Sequence, residues 1–506
     1  MKKIKLFFVS SSVSTIIGGV IFGLAFILFS CASKESDYSP NSNYYPPSTP
    51  AYNIGGNSYN YVRENSFVNV AKQPISTFSI DADGASYANV RRHIQQYSVL
   101  PPRVAVRTEE LINYFDLDYP FVSTTDPISL NGEISECPWN DKNKLMRIGI
   151  KGKPIPKESL PASNFVFLID VSGSMATDDK LELLKKGFRY IADELLSKDR
   201  VAIVTYSGKA SVALPSTSGD DKATIKRAID GLSAGGGTAG GSGINTAYEI
   251  ARQNFVEGGN NRVVLGTDGD FNVGITDQNQ LVQLIKSKKD LGIYLTVLGV
   301  GFENLKEGEL EQIANNGNGN FEYIDNIEQM RKVFIYDYSK FYTVAKDVKV
   351  QIRFNPDAVN SYRLIGYENR SLASKDFTND SKDAGEIGSN QNITALYELV
   401  MNSDYLPNVT SNVFSVDCRY KKIGSEVSSL LELQIADTGT TFANSSDFMK
   451  FTASVASFSM LISYSSYKGT TSYDGIISWL EGVNLSDTHE FKAEFKKLVQ
   501  TAKQLK

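Results

Sequence analysis

The spacing of apolar residues changes several times along this chain, and each change marks a part. From Leu6 to Phe29 the sequence is largely apolar, with a strong run from Ile16. From Ala32 to about Pro74 neither helical nor alternating spacing is present. SPNSNYYPPSTPAYNIGGNSYNY is rich in Ser, Asn, Pro, Gly and Tyr, which predicts a flexible tether over 31–74. Folded sequence is expected from near Ile75. STFSIDADGASYANVRRHIQQ reads as a short strand, a turn and a helix with Val90 and Ile94 on one face. Arg107 to Phe115 reads as an amphipathic helix, and the alternation over 128–151 predicts paired strands. Phe165 to Ile169 is apolar at every position, as a strand covered on both faces must be. Further strands are expected at 201–206, 210–214, 262–265, 293–300 and 321–324. Helices are expected at 180–196, 221–232, 243–255, 278–289 and from about Ile327. This alternation predicts an α/β fold over 161–343, a doubly wound, mostly parallel sheet with helices on both faces.

After Val344 the period becomes two. VKVQIRF, YRLIGYEN, ITALYELV, VFSVDCRYKK and LLELQIA predict an antiparallel, β-rich domain over 344–506. It ends in helices, one carrying the stripe Phe448, Phe451, Val455, Phe458 and Ile462. The flanking regions 75–160 and 344–506 each hold strands but are short of a full sandwich. They are expected to pack on each other around the inserted central domain.

A length of 506 residues fits two or three folded units. The net charge is -5. Removing residues 1–30 takes Lys2, Lys3 and Lys5 with it, so 52 minus 3 basic residues face 57 acidic ones, a balance of -8. With no Lys/Arg stripe, that balance argues against nucleic acid as a partner. His93 and His489, far apart, argue against a histidine zinc site or a Ser/His/Asp hydrolase.

The basic start, the apolar run and Leu28-Phe29-Ser30-Cys31 resemble a bacterial lipoprotein signal, with cleavage of 1–30 and lipid on Cys31. The other reading is an uncleaved membrane span. The resemblance implies a lipid-anchored protein of the bacterial cell envelope, and Ala32 after the cysteine favours the outer membrane. Cys137 and Cys418 remain, either as a disulfide or as two buried apolar residues.

The chemistry concentrates in Asp170-Val171-Ser172-Gly173-Ser174-Met175, directly after the buried strand. Ligands gather at the carboxyl ends of strands in such sheets. One carboxylate and two hydroxyls at alternate positions are hard oxygen donors that suit magnesium, manganese or calcium. Thr238 in GGGTAGGSG and Asp268 in LGTDGDFNVG fit the same point, and Gly269 allows a sharp turn. Asp270 beside them is either a water holder or a surface acid. Asp170, Ser172, Ser174, Thr238 and Asp268 resemble the metal-ion-dependent adhesion site of von Willebrand factor type A domains. That resemblance implies a divalent cation, Mg2+ first and Mn2+ or Ca2+ next, and a protein partner that offers an acidic residue to it. ISTFSIDADGASYANVRRH, RTEELINYF, TDGDFNVG and DAGEIGSNQNITALYEL further resemble a bacterial lipoprotein family. In that family a type A domain lies between an N-terminal region and a C-terminal domain of unknown function.

Other motifs fail on context. Asp81-Ala82-Asp83-Gly84 lacks the later ligands of a calcium loop and reads as a turn and helix cap. Gly235 to Gly240 formally contains GxGxxG, but it follows a helix far from the first strand. Ser172-Gly173-Ser174 is no nucleophile elbow. The expected function is therefore a metal-dependent adhesion or scaffold module without enzyme activity. A metal-dependent hydrolase and a purely structural envelope protein are the alternatives. The signal reading predicts that Cys31→Ser leaves the chain uncleaved and without lipid. Mass spectrometry of the native N-terminus decides it: an unmodified Cys31 in the wild type, or a retained 1–30 segment, overturns it.

Overall fold

The computed structural model describes residues 51–506 apart from 55–56, 61–62, 81–83, 236–242, 270–277, 303–304, 383 and 408–411. Cys31, Thr238, Asp270 and the Asp81–Asp83 turn therefore lie outside the described residues. Six strands make the central sheet, in the order Phe321–Ile324, Ile293–Val300, Asn260–Thr267, Ser163–Asp170, Arg200–Ser207 and Lys209–Ser218. The first five run parallel and Lys209–Ser218 closes the edge antiparallel. Ser163–Asp170 sits between two strands and is buried at all eight positions, which explains its unbroken apolar run. Leu184, Phe188 and Ile191 of the helix Leu181–Glu194 cover one face, with Ile225 and Ile229 of Lys222–Asp230. Ile244, Ala247 and Tyr248 of Gly243–Gln253, Ile285 of Gln278–Lys289 and Leu310 of Glu307–Asn316 cover the other. The fold is the expected α/β sheet with helices on both faces.

Two elements differ from the sequence reading. The Glu307–Asn316 helix was not predicted, because only Leu310, Ile313 and Ala314 carry its inward face. The strand Lys209–Ser218 outruns the predicted 210–214, since an edge strand with exposed side chains shows no apolar pattern.

The flanks share two antiparallel sheets. One has the order Val68–Asn69, Val359–Ile365, Asn392–Met401, Asn143–Gly152, Ile128–Glu136. The other places Thr343–Phe354 between Gly385–Gly388 and Asn412–Lys422, with Ser428–Ala436 beyond and Ile75–Ser79 paired to Thr343–Phe354. Strands from before and after the central domain thus complete each other, around a core that includes Ile148, Val350, Ile352, Tyr397 and Val416. The helix Asp447–Ile462, capped by Ser446 accepting from the Met449 N–H at 3.1 Å, packs with Thr108–Asn113, Tyr473–Glu481 and Phe491–Gln504.

Structure also begins before Ile75. Val68 pairs with Tyr362, and a hairpin of Ala51–Ile54 and Asn57–Asn60 precedes it. Asn57 accepts from the Leu305 N–H at 2.9 Å, and Asn89 donates to the Tyr59 hydroxyl at 3.2 Å. A reading from apolar content as a tether up to residue 74 misses these polar anchors. Cys137 and Cys418 do not pair. Both are free and buried, one in the helical core and one between the sheets. Burial pushes the Cys418 thiol up to about 12. Among the described residues no helix is long and apolar enough to cross a membrane.

An acid-rich join links the flank to the central domain. Arg107 pairs with Glu109 at 3.2 Å and Glu110 at 3.9 Å, and Arg370 with Glu311 at 3.2 Å. Burial, reinforced by Glu311, pushes Glu307 up to about 8. Burial and then Glu109 push Glu368 up to about 7. Glu110 and Glu311 are raised by the same burial. These carboxyls hold protons in the fold that they release on unfolding. Their contribution to stability is present below the ordinary glutamate value of 4.5 and is lost as pH rises through about 7 to 8. Glu307→Gln is therefore expected to flatten the fall in melting temperature between about pH 5.5 and about pH 8.5. Parallel melts of wild type and variant at both pH values check this, and an equally steep fall in the variant contradicts it.

Candidate metal centre

The site is built at the carboxyl end of the two central strands. Ser163–Asp170 ends on Asp170, and Ile169 is in register with Gly266 of the neighbouring strand, two residues before Asp268. Beyond Asp170 the chain turns into a short 3₁₀ segment, Gly173–Ala176. Met175 is fully buried and its N–H donates to the Ser172 carbonyl at 3.1 Å, which fixes the loop from below. The Ser172 N–H donates to Asp170 Oδ1 at 2.8 Å, and the Ser172 and Ser174 hydroxyls lie 3.0 Å apart. On the other strand Gly269 has φ 108°, a left-handed backbone that suits glycine.

Asp170 is 0%, Asp268 1% and Ser172 1% exposed, while Ser174 faces solvent. Among the described residues, Asp170 Oδ2 and Asp268 Oδ1 are buried without a hydrogen-bond partner. Unpaired buried carboxylate oxygens are costly and rare. Burial raises the Asp170 carboxyl above its ordinary range, the Ser172 N–H opposes that rise, and nearby Asp268 adds to it. A cation among these oxygens reverses the penalty, so the residues present fit a hard divalent ion. Among the described residues no group of three or more His, Cys, Asp or Glu could hold a metal. A site of this kind relies on hydroxyls for its remaining ligands.

The structure brings Asp170, Ser172, Ser174 and Asp268 to one end of the sheet. Thr238 falls outside the described residues, but the start of its loop is placed. The Gly235 N–H donates to the Val171 carbonyl at 2.8 Å, and Ser207 Oγ donates to the Gly235 carbonyl at 3.0 Å.

Three residues of the site escaped the sequence reading. Lys180 Nζ donates to Asp268 Oδ2 and to the Ser174 carbonyl, each at 2.9 Å. Asp179 beside it accepts from Arg92 Nη2 at 2.7 Å, and Arg92 lies on the flank helix Ala85–Gln95. Arg92 Nη1 donates to the Tyr323 hydroxyl at 2.6 Å, and that hydroxyl donates to the Gly301 carbonyl at 2.9 Å. The flank therefore grips the rim of the serine loop. One signal was available: Lys180 stands at the N-terminal boundary of the helix Leu181–Glu194, where a positive charge opposes the helix dipole.

Residues 164–334 match the von Willebrand factor type A domain, and residues 339–505 match the family described as Uncharacterized protein YfbK, C-terminal. Residues 53–147 match a family described as von Willebrand factor. The chain is 40% identical over 473 residues to Uncharacterized protein YfbK of Escherichia coli (strain K12), across 89% of this chain and 82% of that protein. It is 27% identical over 222 residues to a Magnesium-chelatase 67 kDa subunit of Chlorobaculum tepidum, which covers 38% of this chain and 36% of that protein. Among solved structures, a von Willebrand factor type A protein from Catenulispora acidiphila superposes with TM-score 0.41 at 17% identity, over 67% of this chain and 82% of that one.

Gly301 has φ 80°, and a Cβ there would lie 2.5 Å from Lys180 Cε. Gly301→Ala is expected to lower stability by roughly 1–3 kcal/mol through backbone strain and displacement of the lysine. Chemical denaturation measures this; a variant as stable as wild type contradicts it.

Proposed function

This chain belongs to the family of Escherichia coli YfbK, and on that premise we propose that it is a membrane-anchored, divalent-metal-dependent protein-binding module of the bacterial cell envelope. Type A domains often mediate protein interactions or adhesion. The observation that carries the reading is the pair of buried oxygens, Asp170 Oδ2 and Asp268 Oδ1, which among the described residues have no hydrogen-bond partner beside the Ser172 and Ser174 hydroxyls.

Asp170, Ser172, Ser174, Thr238 and Asp268 would hold the ion. Their all-oxygen chemistry favours Mg2+, then Mn2+ or Ca2+. A bound ion would supply a fixed positive charge at the rim of the sheet, to which an acidic side chain of a protein partner binds. The chain's own residues do the positioning. Met175 seats the loop, the Ser172 N–H orients Asp170, and Ser174 meets solvent where a partner arrives. Lipid on Cys31 would hold the domain at the membrane, with the outer membrane as its location. Nothing in the charge balance of the chain favours nucleic acid.

Thermal unfolding with magnesium, manganese or calcium and with chelator tests the site. An ion that binds the folded state alone is expected to stabilise wild type by about 1.4 kcal/mol at about tenfold excess over its dissociation constant. Asp170→Ala removes a charged ligand and should abolish the shift, while Ser172→Ala removes a neutral donor and should reduce it less. A wild type that melts identically with every ion and with chelator, or an Asp170→Ala variant with the full shift, overturns the metal site.

A further inference from the structure

The proposed metal site contains a cation of its own. Lys180 Nζ is 2.9 Å from Asp268 Oδ2 and 2.9 Å from the Ser174 carbonyl, and its side chain is only 16% exposed. Its stem is confined by Gly301, whose missing Cβ leaves room for Lys180 Cε. Asp179, the preceding residue, is held by Arg92 at 2.7 Å, so the backbone that carries the lysine is anchored on the flank helix. Helix geometry gives no reason for a lysine here, because the position opposes the helix dipole. The ammonium takes one oxygen of Asp268 and, among the described residues, leaves Asp268 Oδ1 and Asp170 Oδ2 unpartnered.

Charge makes this arrangement consequential. Asp170, Asp268 and Lys180 together carry one net negative charge, and a divalent ion would turn that into one net positive charge. Without the lysine the loaded site would be neutral, with less attraction for an acidic ligand. We propose that Lys180 is a tethered counter-cation of the metal site, one that weakens the hold on the divalent ion and gives the loaded site the positive charge that selects a carboxylate ligand. This rests on the metal-site reading above. Lys180 is in this sense a positioning and specificity residue. A lysine with a merely structural role would act in the opposite direction, since its loss would free Asp268 to move and weaken ion binding.

The experiment is a manganese titration of the full-length chain, read as free Mn2+ by electron paramagnetic resonance. Wild type, Lys180→Met and Lys180→Arg are compared, with circular dichroism as the check on folding. Removal of a positive charge beside the ion is expected to tighten Mn2+ binding by about tenfold in Lys180→Met, and Lys180→Arg should stay close to wild type. In the same samples, fluorine resonances of trifluoroacetate should broaden with Mn2+-loaded wild type and Lys180→Arg, and broaden less with Lys180→Met. Equal or weaker Mn2+ binding by Lys180→Met, or undiminished broadening, overturns the role of Lys180 while leaving the metal site standing. A wild type that binds no Mn2+ removes the metal site and this proposal together. Should Lys180→Met fail to fold, Lys180→Gln carries the same comparison.

Discussion

Two carboxylates drawn out of water at the ends of adjacent strands repel each other and lack their usual solvation. Much of the rim of the central sheet is arranged around that constraint. Asp170 ends a strand buried at every position, so it cannot reach solvent by a small shift. The Ser172 N–H satisfies one of its oxygens and Lys180 satisfies one of Asp268's, and among the described residues the remaining two have no partner. Each compensating group is in turn held in place. Met175 seats the serine loop, Gly301 makes room for the lysine, and Arg92 fastens Asp179. A site that binds an ion by this means needs a rigid frame, because oxygens free to relax would find water or a backbone donor instead.

The sequence made legible what has a local period. The strand Ser163–Asp170 announces itself by an unbroken apolar run and Leu181–Glu194 by its helical spacing. Asp170, Ser172, Ser174 and Asp268 could be placed because ligands in such sheets lie beyond the carboxyl ends of strands. Lys180 left only its unfavourable place at a helix N-terminus as a hint, and Arg92 left none. Their partners Asp268 and Asp179 lie 88 and 87 positions away, and an ion pair across that separation leaves no periodic trace. The same limit hid the early structure. Tyr59 and Asn57 are fixed by hydrogen bonds to Asn89 and Leu305, in a segment whose composition reads as unstructured. The disulfide question was open for a similar reason, since spacing carries no information on proximity. Cys137 and Cys418 belong to separate cores.

The sheets of the flanks also show why family boundaries and structural boundaries differ. The match to the YfbK C-terminal family begins at residue 339, yet the strand Asn392–Met401 has Asn143–Gly152 as one of its neighbours. Thr343–Phe354 likewise takes Ile75–Ser79 as a partner. The acid-rich join around Arg107 adds a polar seam between the helix Glu307–Asn316 and the flank, where burial rather than pairing dominates the carboxyls. Central domain and flanks are thus fastened at the rim of the serine loop by Arg92 and Asp179, by the buried Arg91–Asp325 pair, and by this seam.

The interleaving of these strands has a consequence for the order in which the chain can acquire its shape. Asn143 and Glu398, hydrogen-bonded across one sheet, are 255 positions apart, and Thr77 and Gln351 are 274 apart. A ribosome delivers Ile128–Glu136 and Asn143–Gly152 first, and this pair must wait through the whole of the central domain before Asn392–Met401 arrives to cover its open edge. Such an unpaired edge is a template for wrong partners. The central domain depends on nearer neighbours for its sheet and can form in the interval, and its completion brings the two ends of the flank together. The α/β domain is in that sense the clasp that closes the sandwich, and pairing across such separations belongs to the class of contacts that form late and leave strand edges open meanwhile.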